Sequence, residues 1–177
     1  MKPAVLPLLV LAAVTLLTGC ASKSSKPAFC PGVAVLADAS HQPMFRQGMT
    51  PDPGNVLYTM DIVNAKGECD YDKKGREADV TATVHFRATR APTGEAARYN
   101  VPYFIVVTQG GRILNKIDFK VEIDFEPGSA VADAEDSAST HITTEEGKKP
   151  YDYQILAGLP LSKEQLDYNR TIGRYGQ

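Results

Sequence analysis

The chain has 177 residues with a formal net charge of −2, 43% hydrophobic residues, no tryptophan and three cysteines. That length suits a single domain with a proper core. The mildly acidic balance argues against nucleic acid as a partner, because duplex binding rests on neutralising phosphates.

The N-terminus opens with Lys2 and then an apolar run from Ala4 to Leu17, interrupted by Pro7 and Thr15. A basic start, a short apolar core and small residues at its end describe a secretory signal. A transmembrane anchor would need about 20 apolar residues, and a proline inside it would break helical hydrogen bonding.

The run ends in Leu17-Thr18-Gly19-Cys20, which resembles the lipobox of bacterial lipoproteins. The resemblance implies removal of residues 1–19, a diacylglyceryl group on the Cys20 thiol and acylation of the new amino group. Its partner would then be the lipid bilayer, held through acyl chains that each contribute roughly 0.8 kcal/mol per buried methylene. Ala21, where an aspartate would retain the protein at the inner membrane, implies sorting to the outer membrane, facing the periplasm. Without residues 1–19, 18 basic residues stand against 21 acidic ones.

"ASKSSKPA", 21–28, is polar without an apolar period and reads as a tether. Eight residues reach at most about 28 Å. The domain divides accordingly into a signal (1–19), a lipidated cysteine with its tether (20–28) and one folded domain (29–177). With Cys20 acylated, Cys30 and Cys69 remain as a pair, and an oxidising periplasm favours a disulfide between them.

Beyond the tether the dominant period is two. Val56, Tyr58, Met60 and Ile62 alternate with other residues. So do Val80 to Ala88, Ile117 to Phe125, and Tyr151 to Ala157. This is the pattern of half-buried antiparallel strands. Weaker strands are expected at 33–36 and around 140–145. Turn signals stand at 51–55, 65–68, 73–76, 91–95 and 126–129, and Gly110-Gly111 marks a hairpin. The small, acidic stretch from "PGSAVADA" to Thr140 reads as a mobile loop. Near the C-terminus "LSKEQLDYNR", 161–170, predicts a short helix: Ser162 caps, Gln165 returns the hydrogen bond, and Leu161 staples to Leu166. The expected fold is mainly β, an immunoglobulin-like antiparallel β-sandwich with a short C-terminal helix.

Two longer stretches, "VPYFIVVTQGGRILNKIDFKVEIDFEPG" and "YQILAGLPLSKEQLDYNR", look similar to a group of proteobacterial lipoproteins. That resemblance brings no activity, ligand or catalytic residue with it.

Four features could carry chemistry. "HQPMFRQGM" offers His41, Met44 and Met49, imidazole and thioether ligands that suit copper(I), although methionines fill cores routinely. "DYDKKG", 70–75, begins like a calcium loop, but Lys74 and Thr81 occupy ligand positions. His85 and His141 lack any accompanying nucleophile or metal motif. The run "VPYFIVV", 101–107, is apolar on both faces, as in a covered central strand or an exposed binding patch. The function expected is a non-catalytic binding or envelope-assembly module that needs no cofactor and meets an envelope protein through surface contact. Tyr103, Ile105, Val107, Leu166 and Tyr168 are its partner-binding candidates. The alternative is a periplasmic copper carrier or an enzyme using His41 and nearby methionines.

Overall fold

The computed structural model describes residues 30–92 and 94–173. The lipobox, Cys20 and the whole tether lie outside the described residues.

Eight strands form two four-stranded sheets packed face to face. One sheet has the order β1-β8-β5-β6, with β1 Gly32–Val35, β5 Ala97–Gln109, β6 Arg112–Phe125 and β8 Tyr153–Gly158. The other has the order β2-β3-β4-β7, with β2 His41–Phe45, β3 Val56–Tyr71, β4 Glu77–Thr89 and β7 Val131–Thr143. Pairing is antiparallel except at the β1–β8 edge, which is parallel. A helix, α1 Lys163–Thr171, follows β8 and returns to β2. The architecture is the sandwich anticipated from the period-two pattern. Its second, third, fourth and seventh strands neighbour one another, an order different from the A-B-E-D sheet of immunoglobulin domains.

The core follows the alternation directly. Ala78, Val80, Ala82, Val84, Phe86 and Ala88 of β4 point inward, against Val101, Tyr103, Ile105 and Val107 of β5. At the hairpin between β5 and β6, Gly110 and Gly111 have φ of 55° and 82°, the left-handed conformation that a primed two-residue turn requires.

Two sequence expectations need correcting. Residues 65–68 are not a turn: β3 runs through them to Tyr71. A register shift between Ile62 and Asn64 inserts an extra residue, and such a bulge reverses which parity faces the core. Tyr58, Met60 and Ile62 point inward before it, and Ala65, Cys69 and Tyr71 pack on the core after it. Gly67 sits where β1 crosses closely, and a Cβ there would penetrate the Val33 side chain, 3.1 Å from its Cβ. The glycine marks a close approach between sheets, the other use of glycine within a strand.

The expected mobile loop is also a strand. Its small, acidic residues have poor β propensity, but as β7 they pair along all of β4. Partners distant in the sequence hold them. Arg87 donates to Asp133 at 2.8 and 3.2 Å, Thr83 meets Ser137 at 3.1 Å and Thr81 meets Ser139 at 3.0 Å. Cross-strand pairs of this kind stabilise a sheet by roughly 0.2–1 kcal/mol each.

Cys30 and Cys69 are joined in a disulfide that ties the entry to β1 to the C-terminal end of β3, with Cα atoms 5.7 Å apart. It therefore bridges the two sheets.

Candidate functional site

His41 is buried, and its Nδ1 lies 2.7 Å from Asp61 Oδ1 on the neighbouring strand. Met44 lies three residues along β2, on the opposite face, packed against the core with its sulfur 3.7 Å from Gln165 Nε2. Met49 is 56% exposed in the turn beyond the strand, and Met60 is fully buried. The pleat thus places the His41 imidazole and the Met44 thioether on opposite faces of β2. Among the described residues no group of three His, Cys, Asp or Glu is placed to hold a metal.

The other two histidines are also paired with carboxylates. His85 Nδ1 is 3.0 Å from Glu135, and His141 Nδ1 is 2.8 Å from Asp79. The Asp79 hydrogen bond raises the His141 pKa above its ordinary value. Alongside them the Arg87 guanidinium, by its hydrogen bond, holds Asp133 below the usual carboxylate range. All of these sit on the outer face of the β4–β7 pair, which reads as a ladder of internally matched polar groups.

The apolar run on β5 is resolved by burial. Tyr103, Ile105 and Val107 are 0, 2 and 5% exposed, so as partner-binding candidates they are corrected to core residues. Tyr103 stacks on Phe119 at 5.3 Å, meets Phe86 edge-on at 5.0 Å, and donates its hydroxyl to Asp136 at 2.7 Å. Burial first, and then this hydrogen bond, push the phenol well above its usual range. Asp136 is an inward-pointing carboxylate on an edge strand, a known device against edge-to-edge pairing, and Tyr103 satisfies it. On the outer side of β5, Phe104 lies over Gly158, where a Cβ would collide with the ring, and under Lys116, whose ammonium is 4.8 Å from the ring centre.

The helix does not cover β5; it guards β2. Its start is the capping box expected from the sequence: Gln165 N–H donates to Ser162 Oγ at 3.2 Å, and Ser162 N–H to Gln165 Oε1 at 2.8 Å. Gln165 Nε2 also donates to the Pro43 carbonyl at 2.7 Å, and Asn169 Nδ2 to the His41 carbonyl at 2.9 Å. β2 is an edge strand, and Pro43 has no N–H to offer there. The side chains of α1 thus occupy acceptors through which a foreign strand would pair. Tyr168 packs edge-on against Phe45 at 5.1 Å. Leu166 and Tyr168 are half-buried, and Tyr168 lines an open recess with Pro51, Pro53 and Ile172. Sequence reasoning missed Gln165 and Asn169 as clamps, since nothing local shows which carbonyls a helical amide will meet.

One end of the sandwich gathers the entry to the fold and three loops. Across the first sheet Gly32 pairs with Gln154, Gln154 with Thr108, and Thr108 with Ile113. The row places Cys30 at the same end of the sheet as the β5–β6 hairpin, on the opposite edge. The β3–β4 turn and residues 144–152 complete this end. Thr144 N–H donates to the Arg76 carbonyl at 2.8 Å, Lys149 Nζ to the Lys74 carbonyl at 3.0 Å, and Arg112 to Glu145 at 2.7 Å. The "DYDKKG" stretch is this turn. Asp72 accepts the backbone N–H groups of Glu77, Arg76 and Lys74, which hold its carboxyl below the usual range.

Among the described residues, fold and site together define a mainly β sandwich with one capped helix and internally paired polar groups. No family model, no curated protein and no solved structure matches the chain.

Proposed function

We propose that this is an envelope lipoprotein, anchored through acyl chains on Cys20 to the outer membrane and facing the periplasm. Its sandwich acts as a non-catalytic binding or assembly module toward another envelope protein. The observation that carries the reading joins sequence to structure. Only nine residues separate the lipobox cysteine from Cys30, and Cys30 is covalently fixed to β3. An acyl anchor there would hold a rigid domain close to the bilayer. Of the five partner-binding candidates, Leu166 and Tyr168 remain half-exposed, Tyr168 in the recess with Pro51 and Pro53.

The test is the mass and partitioning of the mature protein. The native chain should begin at Cys20, carry diacylglyceryl and acyl groups, and sediment with membranes. Cys20→Ser should be unacylated and either soluble or unprocessed. Normal membrane attachment of that variant would refute the anchor.

A further inference from the structure

Four strands end the two sheets, β1 and β6 in one and β2 and β7 in the other. Three of these edges are closed to a further strand. β1 is four residues long, β2 carries Pro43 and the amides of α1, and β7 turns Asp136 inward to Tyr103. β6 has no such feature between Asn115 and Phe125. It contains no proline there and pairs with β5 without a register shift. Among the described residues no strand is hydrogen-bonded to its far side. Its inner face is covered unevenly: Val121, Ile123 and Phe125 are buried, whereas Ile117 and Phe119 are half-buried. We propose that this edge pairs with the same edge of a second copy of the chain. The two strands run antiparallel about a two-fold axis at Phe119, and two four-stranded sheets become one of eight.

The charges on the outer face choose the occupant. Lys116, Asp118, Lys120 and Glu122 alternate in sign along β6, and all are exposed. Directly across β5 they face Val106, Phe104, Pro102 and Asn100, so the protomer sets no opposite charge beside them in its own ladder. Their ion pairs run elsewhere. Lys116 meets Asp118 along the strand at 3.0 Å, and Arg98 reaches Glu122 diagonally at 3.6 Å while bonding Asp124 at 2.5 Å. These contacts leave every charge in place on the strand.

Antiparallel pairing about Phe119 sets Lys116 of one copy opposite Glu122 of the other, and Asp118 opposite Lys120; the two-fold axis repeats both pairs. The neighbouring registers do the reverse. Centred on Asp118, Lys116 would face Lys120 and Asp118 would face itself. Centred on Lys120, Asp118 would face Glu122 and Lys120 would face itself. A centre between two residues would set inner side chains opposite outer ones. On the inner face the favoured register brings Phe119 to Phe119 and Ile117 to Val121, the aromatic and β-branched pairs that stabilise a ladder. Lysines on an edge repel strands in general, but this order of signs admits a copy of itself. The contact is independent of the acyl anchor. Residues 115–123 on each side make a small interface, so the dimer dissociates on dilution.

The experiment measures the mass of the full chain by sedimentation velocity over a dilution series. Detergent micelles are kept in large excess over protein, so that shared micelles bring no two copies together. Wild type should pass from dimer to monomer on dilution. Lys120→Glu and Asp118→Lys each oppose like charges at two symmetric places and should weaken the dimer about tenfold or more. Asp118→Lys/Lys120→Glu exchanges the two signs, restores every opposite pair and should return the dimer to near wild-type strength. Both positions are exposed, and circular dichroism of each variant checks that the fold is kept. A wild-type chain that is monomeric up to about 1 mM, or a dimer indifferent to both single variants, would overturn self-pairing through β6. So would a double variant no stronger than the singles, or a monomer that holds a different protein's strand on this edge.

Discussion

Gly67→Ala separates a strand glycine from a turn glycine. In the structure the added methyl would enter the Val33 side chain, 3.1 Å from its Cβ and 4.0 Å from the Thr81 carbonyl oxygen. Val33 cannot retreat freely, because β1 is paired with β8 and its entry is fixed to β3 by the disulfide. Overpacking at such a site costs about 1–3 kcal/mol. Alanine restricts the unfolded chain and returns roughly 0.4–1 kcal/mol, which leaves a net loss of about 1–2 kcal/mol. For a domain of this size that is a fall in Tm of roughly 2–8 °C. The assay is thermal and urea unfolding of the oxidised protein, followed by circular dichroism. Adding Val33→Ala opens space for the methyl, so the double variant should be more stable than the sum of the single effects by about 1 kcal/mol. A Gly67→Ala protein within about 0.5 kcal/mol of wild type, or strict additivity with Val33→Ala, would refute the close approach.

Replacing Cys30 and Cys69 together by serine removes closure of a loop of 39 residues and should lower stability by about 4 kcal/mol on the chain-entropy account, read as the urea midpoint against the oxidised wild type. Asn169→Leu withdraws the donor from the His41 carbonyl of an edge strand; it should cost about 1–3 kcal/mol and raise self-association, measured by light scattering, whereas a monomer of unchanged stability would exclude the clamp. His141 titrates above its ordinary value because Asp79 accepts its hydrogen bond. Its contribution to stability is thus fully present below the unfolded-state pKa and is lost as pH rises through the folded one. Nuclear magnetic resonance titration should show this pKa falling in Asp79→Asn, and no change would refute the pairing.

What could be read from the sequence was whatever repeats at short range. The inward faces of β4 and β6 follow from alternation alone, the β5–β6 hairpin from two adjacent glycines, and the start of α1 from Ser162 and Gln165. The extent of β3 was hidden because the bulge at Ile62–Asn64 switches parity midway, and because Gly67 has the same letter in a turn as in a crossing. β7 was hidden because its residues become a strand only opposite β4, 46 residues away in the pairing of Arg87 with Asp133. The same limit applied to the site. His41 and Met44 are three residues apart in sequence, yet the pleat parts them; Gln165 and Pro43 are 122 residues apart and in contact.

The disulfide also decides how the domain responds to being pulled. Tension applied upstream of Cys30 would otherwise load β1, a four-residue strand held along one edge by parallel pairing to β8, and could peel it away. With Cys30 bonded to Cys69, the force passes instead into β3, sixteen residues long and paired with β4 from Thr59 to Tyr71. A tug on the leader is then resisted by many ladder bonds loaded in shear, and the short strand is spared. Reduction would turn the same leader into a ripcord.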